Sequence, residues 1–517
     1  LQMFLFDRHY FLERIVLPGG LADYLSEFLV QFYYMPALGA AMVGLLLMAI
    51  QGAVWGLMRQ YGAKHDFPGY LLSFVPSIAL WCFMGDPNVL LSFVVALWGA
   101  LAMAWVHNCF HNRLVKVVFQ LVSTALVYWL LGPVVFIYAA LLMADTLQRG
   151  KQKGALFSAF GYAAGILVLT IAWILLTTQS LQYPMNRIFT GLNYYRYPGI
   201  IPSMQFVVMA LAVIIPLLGM VQVKKPALLK LQQNKVVMAG CYLLLIVAAF
   251  FGIKASFDEM TYGLIDYDFL VRTEQWNKIV DKAEKKQPTT PLGVSCVNLA
   301  LSQQGVLADR LFEFYQNGGE GLFPTFTRDM TSPVSTSEIF YRLGMVNDAE
   351  RYMFEAQEAI PNYRKSSRMT RRIAECELIN GNYQVAAKLL RRLQKTLFYS
   401  NWATETMALL GKEKAINCHP VYGKLRKYRQ KKQDFLFSDR EMDQMLGLLF
   451  LNDKSNKMAY EYLICYELLQ RDLAKFMQYY PLGRFVGYDH IPRSFQEILV
   501  GNWMKTHSDP RSIPYSA

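Results

Sequence analysis

The sequence predicts an all-α protein in two parts, a polytopic membrane helix bundle followed by a soluble α-solenoid. Three observations predict it. The 517 residues are 54% hydrophobic and only 17% charged, with a mean hydropathy of +0.22, too apolar for an ordinary soluble protein of this length. The apolar residues are concentrated before about Ile253, in runs of the kind that cross bilayers, whereas charges are spread throughout the chain after Ser256. In that second part, helical patterns recur with a glycine followed by an alanine. The implied boundaries are 1–33 for outer-face interfacial helices, 34–254 for a bundle of about eight transmembrane helices, and 255–517 for the helical-repeat domain.

The first element is LERIVLPGGLADYLSEFLVQFYY, Leu12 to Tyr34. Pro18, Gly19 and Gly20 permit a sharp change of direction. After them, Leu21, Tyr24, Leu25, Phe28, Leu29 and Phe32 form an apolar face, while Asp23, Glu27 and Gln31 recur four apart on a narrow acidic one. The pattern predicts a helix at the membrane surface, its aromatics sunk among the headgroups and its carboxylates wet. Before it, Leu1 to Phe6 reads as the end of a further helix preceding the stretch.

Eight apolar runs follow: Tyr34–Leu57, Tyr70–Met84, Val89–Val106, Val115–Leu130, Pro133–Ala144, Ala159–Leu176, Ile201–Val221 and Val237–Phe251. Several approach the roughly 20 residues needed to cross about 30 Å of hydrocarbon, and the second, fourth and fifth are short. Leu131-Gly132-Pro133 reads either as a tight turn between two spans or as a break inside one bent helix. The connections alternate in charge. Arg59, Lys64 and His65 follow the first run, Arg113 and Lys116 the third, Arg149, Lys151 and Lys153 the fifth, and Lys224, Lys225, Lys230 and Lys235 the seventh. The other connections are nearly neutral. The positive-inside rule places the basic loops in the cytoplasm, so the N-terminal stretch and residues 255–517 face the other side, the periplasm of a Gram-negative type of envelope. Almost no ionisable residue sits at mid-membrane depth, which counts against an ion-coupled transporter.

Two sets of charges lie on the outer side. Asp7, Glu13, Asp23 and Glu27, with Arg8 and His9, read either as a solvated rim with local ion pairs or as an acidic group in a surface cavity. In the stretch Gln182–Ser203, Tyr183, Tyr194, Tyr195 and Tyr197 suit an aromatic belt. Arg187 and Arg196 in the same stretch would suit a phosphate or pyrophosphate if the loop folds over the Asp7–Glu27 side.

After Phe257 the chain is long enough for a sizeable soluble core. LINGNYQVAAKLLRRLQKT (Leu378–Thr396) sets Gly381 ahead of Ala386; FYRLGMVNDAERYMFEAQEAIP (Phe340–Pro361) sets Gly344 ahead of Ala349; NLALSQQGVLADRLFEFY (Asn298–Tyr315) sets Gly305 ahead of Ala308. A small residue at a turn, then alanine where two helices meet closely, is the grammar of stacked helical hairpins. The pairs Gly344/Ala349 and Gly381/Ala386 resemble the turn glycine and close-packing alanine of tetratricopeptide repeats. The Gly305/Ala308 spacing departs from that pattern, as do glycine separations of 39 and 37 residues. Trp276–Lys286 and Ala459–Phe476 read as further hairpin helices.

The basic run YGKLRKYRQKK, Tyr422 to Lys432, would suit an acidic partner or anionic headgroups, or be a plain solvated face. Outside the membrane it implies no nucleic acid. Seven cysteines without a CxxC form no metal or redox motif; Cys376 reads as core and Cys418-His419 as surface or packing, with one disulfide left open. Walker, dinucleotide, HExxH and GxSxG sequences are missing, so nothing here implies a metal or a cofactor.

The element PGGLADYLSEFLVQF at Pro18–Phe32, the hydrophobic region behind it, and the tail with LINGNYQVAAKLL and TLFYSNWA resemble a family of multi-span membrane proteins of Bacteroidetes. That family is described by its domain rather than by an activity, so the resemblance implies a bacterial inner-membrane setting and no mechanism. Two functions follow as expectations. One is a non-catalytic envelope scaffold or assembly factor, held in the phospholipid bilayer, whose residues 255–517 bind protein partners. The other is a glycosyltransferase using a polyprenyl-phosphate-linked sugar, with Asp7 and Glu13 as catalytic carboxylates and Arg187 or Arg196 on the lipid phosphate.

Overall fold

The computed structural model describes residues 2–63, 67–152, 154–196, 202–220, 235–360, 364–430 and 441–507. Lys64, His65, Lys153, Tyr197, Lys224, Lys225 and Lys230, and the end of the basic run at Lys431 and Lys432, lie outside these residues. The described residues are helical apart from connections and isolated bridges, among them an antiparallel one between Val89 and Tyr195. They fall into two compact units, Leu1–Asp258 and Glu259–Ala517.

Among the described residues of the first unit, five helices are long and apolar enough to cross a membrane: Pro36–Gln60, Leu91–Cys109, Arg113–Leu131, Leu156–Thr178 and Lys235–Ser256. The other three apolar runs also become helix but differ in length or polarity. The second breaks into Phe67–Leu72 and Val75–Phe83, with Pro76 in the first turn of the latter, where a missing N–H costs the helix least. The fifth extends past its apolar part as Val135–Gln152, and the seventh is Ser203–Leu218. Leu131-Gly132-Pro133 is a turn between two helices, with Gly132 at φ 89°. Met3 to Phe6 are not helical; Phe4 is instead buried against Tyr10, Tyr24 and Phe28.

Leu91–Cys109 is the axis of this unit. It packs against the helices Gly20–Val30, Pro36–Gln60, Arg113–Leu131 and Val135–Gln152. The outer helices carry their large apolar side chains outward: Leu45, Met48, Phe157, Phe160 and Val168 are all exposed. Lys235–Ser256 has no buried residue, and its 22 residues span about 33 Å, which matches the hydrocarbon thickness of a bilayer. An apolar surface of this extent is stable only against lipid or another protein.

The contacts divide the connections between two ends of the bundle. At one end Tyr61 Oη donates to Leu141 O (3.3 Å), Gln60 Nε2 to Trp105 O (3.1 Å) and Gln148 Nε2 to Tyr61 O (3.4 Å). The described basic residues Arg59, Arg113, Lys116, Arg149 and Lys151 belong to these connections. Asp145, one residue beyond the fifth apolar run, is buried here between Arg149 (2.9 Å) and Lys116 (3.6 Å). At the other end Tyr195 Oη donates to Asp86 Oδ2 (2.7 Å), Leu90 N to Tyr194 O (3.0 Å) and Gly19 N to Trp129 O (2.9 Å).

The second unit is built from antiparallel helix pairs. Ser332–Leu343 pairs with Val346–Glu358 and Ser367–Asn380 with Tyr383–Leu393, and the two pairs stack. Gly344 (φ 95°) and Gly381 (φ 87°) end the first helix of each pair in the left-handed conformation, which only glycine adopts without strain. The chain then returns to its beginning: Lys457–Gln470 packs on Pro291–Gln303, and Asn456 Nδ2 donates to Leu343 O (2.8 Å). Repeat arrays touch only their neighbours. These long-range contacts close the unit on itself.

Candidate functional site

The helix Gly20–Val30 corrects the expectation of wet carboxylates. Its buried positions are Gly20, Ala22, Asp23, Ser26 and Glu27, whereas Leu25 is exposed and Leu21, Tyr24, Phe28 and Leu29 are half-buried. The polar face therefore points into the protein and the apolar face away from it. Periodicity alone could not say which face meets protein, because beside a membrane the surroundings are as apolar as a core.

Glu27 has no exposed surface. Arg14 Nε donates to its Oε2 at 2.9 Å, Tyr10 Oη donates to the same oxygen, and Gln2 Nε2 donates to Oε1. Gln31 Nε2 closes the cluster on Gln2 O (2.6 Å) and Glu27 O (3.1 Å). Burial, and then the Glu27 charge, push the Tyr10 hydroxyl above its ordinary range, so it stays protonated as a donor. The Arg14 guanidinium is held charged by Glu27 and Tyr10 against the cost of burial. This is a satisfied carboxylate, and its donor Tyr10 packs on Phe4 and Tyr24.

The sequence-selected residues sit around it as follows. Asp7 precedes the helix Arg8–Ile15 in extended conformation. Glu13 is exposed and faces His9 Nδ1 at 3.1 Å. Arg187 lies on the short helix Met185–Thr190. Arg196 donates its backbone N–H to Asn88 O (2.9 Å) in the loop where Tyr195 meets Asp86. That loop does fold toward the N-terminal turn. Tyr194 Oη donates to Leu131 O, and Gly132, next to that carbonyl, lies against Gly19. The two segments thus share one backbone corner, at residues 129–132.

In the second unit, Ala308, Ala349 and Ala386 are buried, as close helix contact requires, and Gly305 has φ 77°. The helix after Gly305 is only Leu307–Arg310, which explains the aberrant spacing of that pair. All seven cysteines are free; Cys376 is buried and Cys418 exposed. His419 stacks on Tyr422 and accepts from its N–H (3.2 Å) rather than activating the thiol. Among the described residues no group of three or more His, Cys, Asp or Glu is arranged to hold a metal ion.

Two buried carboxyls lie between the stacked helices, with opposite electrostatics. Glu338 is buried between Arg372 (2.7 Å) and Arg368 (3.7 Å); burial would raise its carboxyl, but the guanidinium charges win and hold it at about 2. Glu350, conversely, is pushed up to about 8 by burial and by Glu377 across the next helix. The basic run resolves into two roles: Arg426 is tied to Leu378 O, Ile379 O and Glu413, while Lys424 stays exposed.

A cleft of about 400 Å³ opens beside this run. Its walls come from four segments far apart in sequence: Ser302 and Gln303, Tyr341 and Arg342, Pro420 to Tyr428, and Ser455 to Glu461. Sequence reasoning missed all of it except the basic run, because the closure of the unit creates it. A volume of this size lies within the range of small-ligand sites.

In comparison with known proteins, residues 1–517 match the model of a family described as "Family of unknown function (DUF6057)". No curated protein and no solved structure matches the chain.

Proposed function

We propose, for a chain that belongs to this family of unknown function over its whole length, a membrane-anchored binding protein. The first unit is the anchor, and residues 255–517 are the part that holds a protein partner in the bacterial envelope. The observation that carries this reading is the helix Lys235–Ser256, apolar and unburied along its length, from which the chain runs directly into the second unit. The helix packs along one side on Val75–Phe83 and leaves the rest of its apolar surface open, and lipid is the natural surrounding of such a surface. Residues 34–254 then cross the inner membrane about eight times, the shorter apolar helices included. The segregation of described basic connections at one end supports a cytoplasmic location for that end and a periplasmic one for the second unit. The tetratricopeptide-like pairing at Gly344/Ala349 and Gly381/Ala386, and the Bacteroidetes setting, belong to this proposal as well. The binding surface would be a closed helical domain rather than an open superhelix.

No observation favours the glycosyltransferase reading. Glu13 is paired on the surface, and the neighbouring buried carboxylate, Glu27, is fully committed to Arg14, Tyr10 and Gln2. The test of the binding role is a photo-crosslinking amino acid placed at Lys424 in the full chain, in cells, with the same probe at lipid-facing Leu45 as control. A discrete protein adduct from position 424 and none from 45 is expected. Only lipid or no adduct from both would contradict the role.

A further inference from the structure

The cleft beside Lys424 has a chemistry of its own. Three cations, Arg342, Lys424 and Lys457, line it against one carboxyl, Glu461. Arg342 is fixed rather than floppy: it pairs with Glu274 at 2.7 Å and lies 4.7 Å over the Trp276 ring, which leaves Nε without a partner. Two other lining side chains also carry buried polar atoms without a hydrogen-bond partner, Tyr341 Oη and Ser302 Oγ, and both residues are at least nine-tenths buried. Folded proteins leave few such groups, and three of them on residues that line one cleft call for an explanation. All three can donate hydrogen bonds, the complement of an anion rather than of a cation. Pro420, Val421, Leu425 and Met458 give the lining an apolar part, beside the polar Gln303, Tyr428 and Ser455. A bare inorganic ion would leave that surface uncovered.

We propose that this cleft binds a small organic anion, a carboxylate or phosphate ester, with its charged group at Tyr341, Arg342, Lys424 and Lys457 and an apolar or ring-shaped body against Val421, Leu425 and Met458. The proposal deepens the reading of the second unit as a binding module and rests on it for the site's use, not for the site's chemistry. Glu461 is the internal counterweight. It lies 3.5 Å from Lys457 Nζ and 3.5 Å from Tyr488 Oη, and it competes with the ligand for Lys457. Burial pushes its carboxyl up to about 7, so near neutrality the opposing charge is reduced and the cleft is more cationic than its composition indicates.

The test is calorimetric titration of the full-length protein, in nanodiscs of zwitterionic lipid, with phenyl phosphate, benzoate and neutral benzyl alcohol. Saturable binding of at least one of the two anions and none of the alcohol is expected. Lys424→Met with Lys457→Met, both on exposed or half-exposed side chains, should weaken binding about tenfold or more. Tyr341→Phe keeps the ring that packs under Arg372 and should weaken it a few-fold, while Glu461→Gln should tighten it. Repeating the titration in nanodiscs containing phosphatidylglycerol separates the sources of the anion: loss of phenyl phosphate binding there assigns the site to a lipid headgroup, and unchanged binding assigns it to a free solute. Failure of both anions to bind saturably, or equal binding by the double variant, would overturn the site. The isolated protein is used throughout, so a missing partner adduct at position 424 would sink the binding role without touching this result, and the reverse also holds.

Discussion

Arg14 Nε donates to Glu27 Oε2 at 2.9 Å across the Pro18-Gly19-Gly20 turn, and the carboxylate it meets has no exposed surface. The contact ties the helix Arg8–Ile15 to Gly20–Val30 and turns the polar face of the latter inward. Arg14→Met should therefore leave a buried carboxylate short of its charge partner, at a cost of about 3–5 kcal/mol. Glu27→Gln, which keeps an acceptor for Tyr10, should cost clearly less. Thermal unfolding in detergent checks both. An Arg14→Met variant as stable as the parent would show that the carboxylate is not dependent on this partner.

The corner at Gly132 makes a second prediction. Its φ is 89°, and a Cβ there would stand 2.8 Å from Tyr194 Oη, so Gly132→Ala meets both backbone strain and a clash. The expected loss is about 1–3 kcal/mol, visible as faster limited proteolysis between residues 180 and 196. Unchanged cleavage would mean that the loop does not depend on the corner.

Glu350 gives a pH dependence with a definite sign. The folded protein keeps this carboxyl protonated up to about 8, while the unfolded chain releases the proton near the ordinary 4.5. Between those values the folded state binds more protons, so this group makes stability fall as pH rises. Glu350→Gln should raise the unfolding midpoint of the second unit near pH 8.5 by about 2–4 °C, on the order of 1 kcal/mol, and give no such gain near pH 4.5. An equal shift at both values would assign the effect to packing instead of to the proton shared with Glu377.

Asn456 closes the second unit. Its Nδ2 donates to Leu343 O at 2.8 Å, with the side chain fully buried, and that carbonyl sits in the last turn before Gly344. Asn456→Ala should cost about 1–3 kcal/mol by leaving the carbonyl unpaired. If the unit were an open array, the same change would alter stability only marginally; unfolding by urea distinguishes the two.

Much of this architecture is legible in residue spacing, for physical reasons that also mark where reading stops. Gly344 and Gly381 betray their turns because a left-handed backbone excludes almost every other residue, and the long apolar runs become helices because a helix pairs its backbone groups within itself, whatever apolar medium surrounds it. The side to which Asp23 and Glu27 turn is not legible, since periodicity separates the two faces of a helix without saying which of them meets protein. Pro76 marks the break in the second apolar run, but the run's composition hides it. The cleft at Arg342 and Lys457 depends on contacts between residues more than 100 positions apart, and no local pattern encodes those.

The proposed binding role requires the second unit and the basic connections to lie on opposite sides of the membrane, and two exposed cysteines report this sidedness. Cys109 lies at the end of the bundle that carries the basic connections, and Cys418 lies in the second unit. Single-cysteine versions of the full chain, treated with a membrane-impermeant maleimide in osmotically opened but unlysed cells, should label at Cys418 directly and at Cys109 only after lysis. Labelling of Cys109 from outside, with Cys418 protected until lysis, would contradict the account.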